Sequence, residues 1–118
     1  MRMTWVVSPR AVTITSATLV NVPIGAKVRL VCRSCRVTQT ITAKRNTVAL
    51  IGLRNKRVRR GQKVTVTITK RGSVGRVITR TVKRYGRTRA AVERAARRPF
   101  TETVRCIPVG ATKPAKKC

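Results

Sequence analysis

Arginine and lysine are the residues with the most evident chemistry in this sequence. They total 29 against two acids, Glu93 and Glu102, which gives a formal net charge of +27. Because so few cations can be neutralised within the chain, the protein should attract polyanions at long range, and salt should weaken that attraction. Arginine also holds phosphate or carboxylate groups through two parallel hydrogen bonds. The charge therefore predicts an anionic polymer as the partner.

Two stretches, 54–60 and 84–98, concentrate this charge. In the second, the arginines recur at three- and four-residue steps, which would align them on one face of a helix, where they could follow a phosphate backbone. The predicted polyanion-binding residues are ten cations from these stretches: Arg54, Lys56, Arg57, Arg59, Arg60, Arg84, Arg87, Arg94, Arg97 and Arg98. The alternative is that both stretches are simply solvated.

The expected mode of binding is neutralisation of backbone charge, on duplex nucleic acid or on an anionic cell-wall polymer. The chain has one Trp, one Tyr and one Phe. Such a small number argues against a platform on which bases stack, and so against sequence-specific recognition of single-stranded RNA.

Catalytic residues are scarce. The sequence has no histidine and only two acids, so neither a serine triad nor a paired-carboxylate site can be assembled convincingly. Neither a G-x-G-x-x-G motif nor a P-loop occurs. We predict a non-enzymatic protein with no small-molecule substrate, no cofactor and no metal.

Four cysteines remain to be explained. Cys32 and Cys35 form a C-x-x-C between two predicted strands, whereas a thioredoxin-like redox motif requires a βαβ context. Two disulfides fit best, one at the hairpin and one closing the tail that contains Cys106 and Cys118. They would imply an oxidising compartment. A zinc site is weakly supported because zinc ribbons repeat the close spacing twice, and four free thiols are the other alternative.

The sequence pattern predicts an all-β fold, because β-branched residues dominate and apolar residues alternate with polar ones. Strands are predicted at 11–20, 27–32, 35–42, 63–69 and 74–83, with a short apolar run at 46–53. The predicted core positions, spaced by two, are Val28, Leu30, Val64, Val66, Ile68 and Ile78.

The connections between these strands are predicted from turn signals. Residues 33–34 would form a tight two-residue hairpin, and 54–60 a basic loop. Six or so short strands at intervals of about ten residues favour an immunoglobulin-like β-sandwich, with a barrel as the alternative.

The C-terminal part has a different composition. Residues 88–98 are rich in Ala and Arg and predict a short helix, with Thr88 as N-cap and Pro99 as stop. The tail beyond Cys106 is turn-rich and predicts no regular structure. We divide the chain into an N-terminal arm or first edge strand (1–10), a β-sandwich domain (11–84), and a basic helix with a Cys-closed tail packed on the same domain (85–118).

Several short motifs, in an unusual order, resemble a known module. They are Gly25–Cys32, Cys35, Leu53-Arg54, Val58–Gly61, Lys63–Thr69, Gly72–Gly75, Cys106–Ala111, Lys113-Pro114 and Cys118. Over residues 17–84 and 106–118 the chain resembles a recurrent basic, disulfide-stapled, immunoglobulin-like β-module of secreted and surface proteins of high-GC Gram-positive bacteria. It departs from that module in the close spacing of the first cysteine pair and in an apparent insertion at 88–103.

The resemblance implies an extracellular, non-enzymatic sandwich, and the tail motif adds support for a bond between Cys106 and Cys118. The sequence has no apolar run long enough for a membrane span. Residues 1–10 contain no recognisable leader, so either the leader has been trimmed from this chain or the protein is not exported by that route. We expect an extracellular or cell-surface location. The alternative function is a structural subunit of an extracellular filament or surface assembly, since exposed sheet edges can add strands from neighbours.

Overall fold

The computed structural model describes residues 1–110 and 114–115. Within them the strands are β1 (Arg2–Val7), β2 (Ala11–Leu19), β3 (Lys27–Cys32), β4 (Val37–Thr42), β5 (Val48–Ala49), β6 (Lys56–Arg59), β7 (Lys63–Thr69), β8 (Gly75–Val82) and β9 (Phe100–Ile107). A 3-10 turn covers Ile51–Leu53, and one α-helix, α1, covers Arg89–Arg97. The prediction of a mainly β protein is confirmed.

The strands form two antiparallel sheets that pack together. In the first sheet β2 is central: β1 pairs with one edge, and β5 and β6 share the other. The second sheet has the order β4-β3-β7-β8-β9. No helix among the described residues has the length and apolar character that a membrane crossing requires.

One aliphatic cluster fills the space between the sheets. All six predicted core residues are buried, and Thr65 and Thr67 on the opposite face of β7 are only partly covered. The alternation in β2 changes phase at a bulge opposite Thr4 and Trp5. Because a bulge adds one residue to one strand, Val12 and Ile14 before it and Ala17 and Leu19 after it can all face the core.

Two predicted connections are wrong. Strand β3 ends at Cys32 and strand β4 begins at Val37, so the hairpin loop between them has four residues rather than two. The amide of Arg36 donates to the carbonyl of Arg33, and Arg36 has a positive φ of 56°. A four-residue loop allows this turn without the Gly or Asn that a two-residue turn favours.

The predicted basic loop at 54–60 is also wrong in part, because Lys56–Arg59 forms β6. Strand β6 pairs with the first half of β2, and Val58 is buried from that position. The structure also contains a strand that the sequence pattern missed. Strand β9 pairs with β8 over its whole length, although its residues from Thr101 to Arg105 are exposed and show no alternation.

The C-terminal helix is confirmed with slightly shorter bounds. The Thr88 hydroxyl accepts from the amide of Ala91, so Thr88 is the N-cap. The predicted disulfide between Cys32 and Cys35 is present. The predicted bond between Cys106 and Cys118 involves a residue outside the described part of the chain, although Cys106 itself is not a free thiol.

Candidate functional site: an arginine-lined groove

One concavity of the described structure is lined mostly by arginine. It has a volume of about 730 Å³. Its lining residues, which we call the arginine groove, are Arg10, Ala11, Ser34, Arg57, Arg59, Arg60, Arg84 and Arg87. Six cations from three separate stretches of the sequence therefore share one surface.

Strand β6 supplies one wall of the groove. Side chains alternate between the two faces of a strand, so Val58 enters the core while Arg57 and Arg59 project outwards on the same face. Arg59 pairs with Ala11 at the start of β2, which places the neighbouring Arg10 at the same rim. The sheet register thus brings together cations that are more than 40 residues apart.

The disulfide-closed turn between β3 and β4 provides a second wall. Ser34 lies in this turn and lines the groove. The Cys35 sulfur is 3.6 Å from the carbonyl oxygen of Arg57, so the turn of the second sheet contacts β6 of the first. The Cys35 amide also donates to the Cys32 sulfur at 3.2 Å.

Tyr85 fixes one arginine of the groove. The guanidinium of Arg60 lies 5.7 Å from the centre of the Tyr85 ring and donates to the Tyr85 carbonyl at 2.7 Å. The Tyr85 hydroxyl in turn donates to the carbonyl of Ser8 at 2.6 Å. Burial raises the pKa of the Tyr85 phenol above its usual value, and the positive charge of Arg60 opposes that rise.

Gly61 allows a second arginine to approach the backbone. A Cβ atom at this position would lie 3.2 Å from Nε of Arg84. The φ of Gly61 is +79°, a conformation that L residues rarely adopt. Its amide donates to the carbonyl of Val82 at 2.9 Å, which holds the end of β8 beside the turn after β6.

No side-chain carboxylate lines the groove. The chain's two acids are engaged elsewhere: Glu102 with Arg80 at 2.6 Å, and Glu93 with Arg89 at 3.2 Å within α1. The groove arginines therefore repel one another through solvent. An anion entering the groove would relieve that repulsion and accept hydrogen bonds from several guanidinium groups.

The groove gathers half of the predicted binding residues: Arg57, Arg59, Arg60, Arg84 and Arg87. The other five are exposed but do not line it: Arg54, Lys56, Arg94, Arg97 and Arg98. The predicted helical alignment of the second stretch is wrong, because α1 begins only at Arg89. Arg10 and Ser34 were missed, since no spacing in the sequence links them to either basic stretch.

Comparison of the chain with protein-family models, with curated proteins and with solved structures found no match. The arginine groove is therefore the basis on which a function can be argued.

Proposed function

We propose that this protein is a non-catalytic module that binds a phosphate-rich anionic polymer in the arginine groove by neutralising its backbone charge. The observation that carries the proposal is the convergence of six arginines in one concavity with no side-chain carboxylate among them. A solvated charged surface is normally mixed in sign, whereas this one has a single sign and a concave shape.

The groove is also partly pre-organised for binding. Arg60 is held by Tyr85, and Arg84 lies against Gly61. Because these two side chains are already held in place, binding should cost less of their conformational entropy than it would for freely rotating arginines. The remaining groove arginines are exposed, so they can adjust to the spacing of the phosphates. The proposed recognition depends on charge and shape rather than on base edges.

Location and fold family belong to the same proposal. We infer that the two packed sheets form an immunoglobulin-like sandwich of the bacterial module that the sequence resembles, and that the protein acts outside the cell or at its surface. The Cys32–Cys35 disulfide supports this inference because disulfides persist in oxidising compartments. A tail peptide cross-linked between Cys106 and Cys118, found by non-reducing mass spectrometry, would add support. One equivalent of bound zinc per chain would contradict the disulfide between Cys106 and Cys118.

The test measures affinity for labelled duplex DNA and for a poly(glycerol phosphate) wall polymer over a series of salt concentrations. If the six groove arginines each neutralise one phosphate, the slope of log K against log salt on DNA should be about −5. Arg57→Ala with Arg59→Ala should weaken binding to all DNA sequences alike and make the slope less steep by about 2.

The matched control is Arg45→Ala with Arg71→Ala, which removes the same charge from exposed positions outside the groove. Equal losses in both double variants would show that only net charge matters, and would contradict a groove site. Absence of salt-dependent binding to either polymer would contradict the proposal altogether.

A further inference from the structure

A second, smaller cavity lies at the end of α1. It has a volume of about 170 Å³. Its lining residues, which we call the tryptophan pocket, are Trp5, Arg80, Arg97, Arg98, Pro99, Phe100 and Glu102. The pocket thus combines the only Trp and the only Phe of the chain with three arginines, and no pattern in the sequence indicates that these residues meet.

The aromatic side chains of this pocket are held in place. The rings of Trp5 and Phe100 make an edge contact, with centroids 5.8 Å apart and planes at 73°. The indole nitrogen of Trp5 donates to the carbonyl of Ala96 at 2.8 Å, which ties β1 to the last turn of α1. Both rings are only partly buried. Rigid, accessible aromatic rings can stack with another ring at little entropic cost.

The cations of the pocket differ in their availability. Arg80 is engaged with Glu102 and also donates to the Met1 carbonyl at 2.6 Å. Arg97 and Arg98 are exposed beside the rings. An aromatic surface next to free guanidinium groups is the combination that binds a base together with its phosphate in single-stranded nucleic acids.

Helix α1 connects the pocket to the arginine groove. Arg87 lines the groove just before the helix begins, and Arg97 lines the pocket where it ends. Nine helical residues span about 13 Å. Arg94 is exposed on the helix between the two cavities. This path includes three of the predicted binding residues that the groove does not gather, Arg94, Arg97 and Arg98.

We propose that the polymer is a nucleic acid with unpaired bases, whose backbone runs from the arginine groove along α1 and places one base in the tryptophan pocket. This inference rests on the proposed function. The pocket volume of about 170 Å³ leaves room for one heterocyclic ring. A wall polymer of phosphate and polyol has no ring to place there.

Because Trp5 is the only tryptophan, its fluorescence reports on the pocket alone. The full chain is titrated with a twelve-residue oligothymidylate and with an abasic oligonucleotide of equal length, which has the same phosphates but no bases. We expect oligothymidylate to quench Trp5 and to bind about tenfold more tightly than the abasic strand, from one stacked base. The abasic strand should bind without comparable quenching.

Variants then assign the difference to the pocket. Phe100→Leu and Trp5→Leu should each reduce the ratio of the affinity for oligothymidylate to the affinity for the abasic strand, as measured by anisotropy of the labelled oligonucleotides. The matched control is Val6→Ala, which alters an exposed apolar residue beside Trp5 on the opposite face of β1. Arg57→Ala with Arg59→Ala should lower the affinity for oligothymidylate and for the abasic oligonucleotide by the same factor.

The possible failures can be told apart. Equal affinity for the two strands, without selective quenching of Trp5, would overturn the base-binding pocket while leaving the groove intact. Loss of binding to both strands and to duplex DNA would overturn the groove itself. If thermal unfolding shows that a pocket variant does not fold, the quenching comparison on the unaltered protein decides the matter.

Discussion

At the scale of single residues, Tyr85 connects Arg60 of the groove to the turn between β1 and β2, because it contacts Arg60 through its ring and its carbonyl and Ser8 through its hydroxyl. Tyr85→Phe keeps the ring and removes the hydrogen bond to Ser8. We expect a loss of about 1 kcal/mol in the free energy of unfolding, measured by urea denaturation near neutral pH. Polyanion affinity should change little, since the ring still supports Arg60.

The same phenol predicts a pH dependence. Its pKa is raised in the folded state by burial, so above about pH 10 the unfolded chain loses this proton more readily than the folded one. The contribution of Tyr85 to stability should therefore be constant below about pH 10 and should fall as the pH rises through its folded pKa. The difference between the parent and Tyr85→Phe isolates this effect from lysine titration. A difference that stayed constant or grew above pH 10 would contradict it.

Gly61 offers a prediction with a close internal control. Gly61 and Gly72 both have positive φ, at +79° and +77°, so Ala at either position should cost about 1 kcal/mol of stability. Only at Gly61 would the new Cβ meet a side chain, that of Arg84. We expect both variants to lose similar stability in thermal unfolding, and Gly61→Ala alone to weaken polyanion binding. Equal polyanion affinities of Gly61→Ala and Gly72→Ala would show that the position of Arg84 does not affect binding.

At the scale of elements, the disulfide-closed turn between β3 and β4 joins the second sheet to β6 of the first. Changing Cys32 and Cys35 together to Ala should lower the free energy of unfolding by about 2 kcal/mol in the chain-entropy model for so short a loop. Because Ser34 in this turn lines the groove, affinity for polyanions should fall as well. Reducing agent should lower both quantities more in the parent than in the double variant, which lacks the Cys32–Cys35 bond.

Two edge strands contribute to the proposed binding sites: β6 carries Arg57 and Arg59 of the groove, and β9 carries Phe100 of the tryptophan pocket. Strand β6 pairs only with the first half of β2, and its outer edge adjoins the turn of the other sheet. Strand β9 is a full edge of the second sheet, and the amide of Ala115 donates to the Cys106 carbonyl near its end. Unpaired edges are where neighbouring chains can add strands.

At the scale of the whole molecule, a net charge of +27 and the exposed β9 edge have opposite effects on self-association. Repulsion between copies should keep the protein monomeric at low salt, and a binding module should remain monomeric when salt screens the charge. Sedimentation at low and high salt, with and without DNA, measures this. Association in high salt without any polyanion would favour the filament or surface-assembly function instead.

The sequence by itself determined the properties that depend on local pattern and on composition. The two-residue period in β7 placed Val64, Val66 and Ile68 in the core, because alternate side chains share one face of a strand and the apolar face is the one that is buried. Thr88 marked the start of α1, since its hydroxyl satisfies a free amide there. The excess of Lys and Arg over acids determined the large positive charge in any fold.

Only the tertiary structure decided where that charge is concentrated. Arg10, Arg57 and Arg84 meet because β6 pairs with β2 and Gly61 holds the end of β8 nearby, and these pairings join residues with no shared local pattern. Strand β9 was missed for a related reason: its side chains from Thr101 to Arg105 face solvent, so its pairing with β8 leaves no alternating pattern in the sequence. Trp5 and Phe100 are likewise neighbours through packing alone.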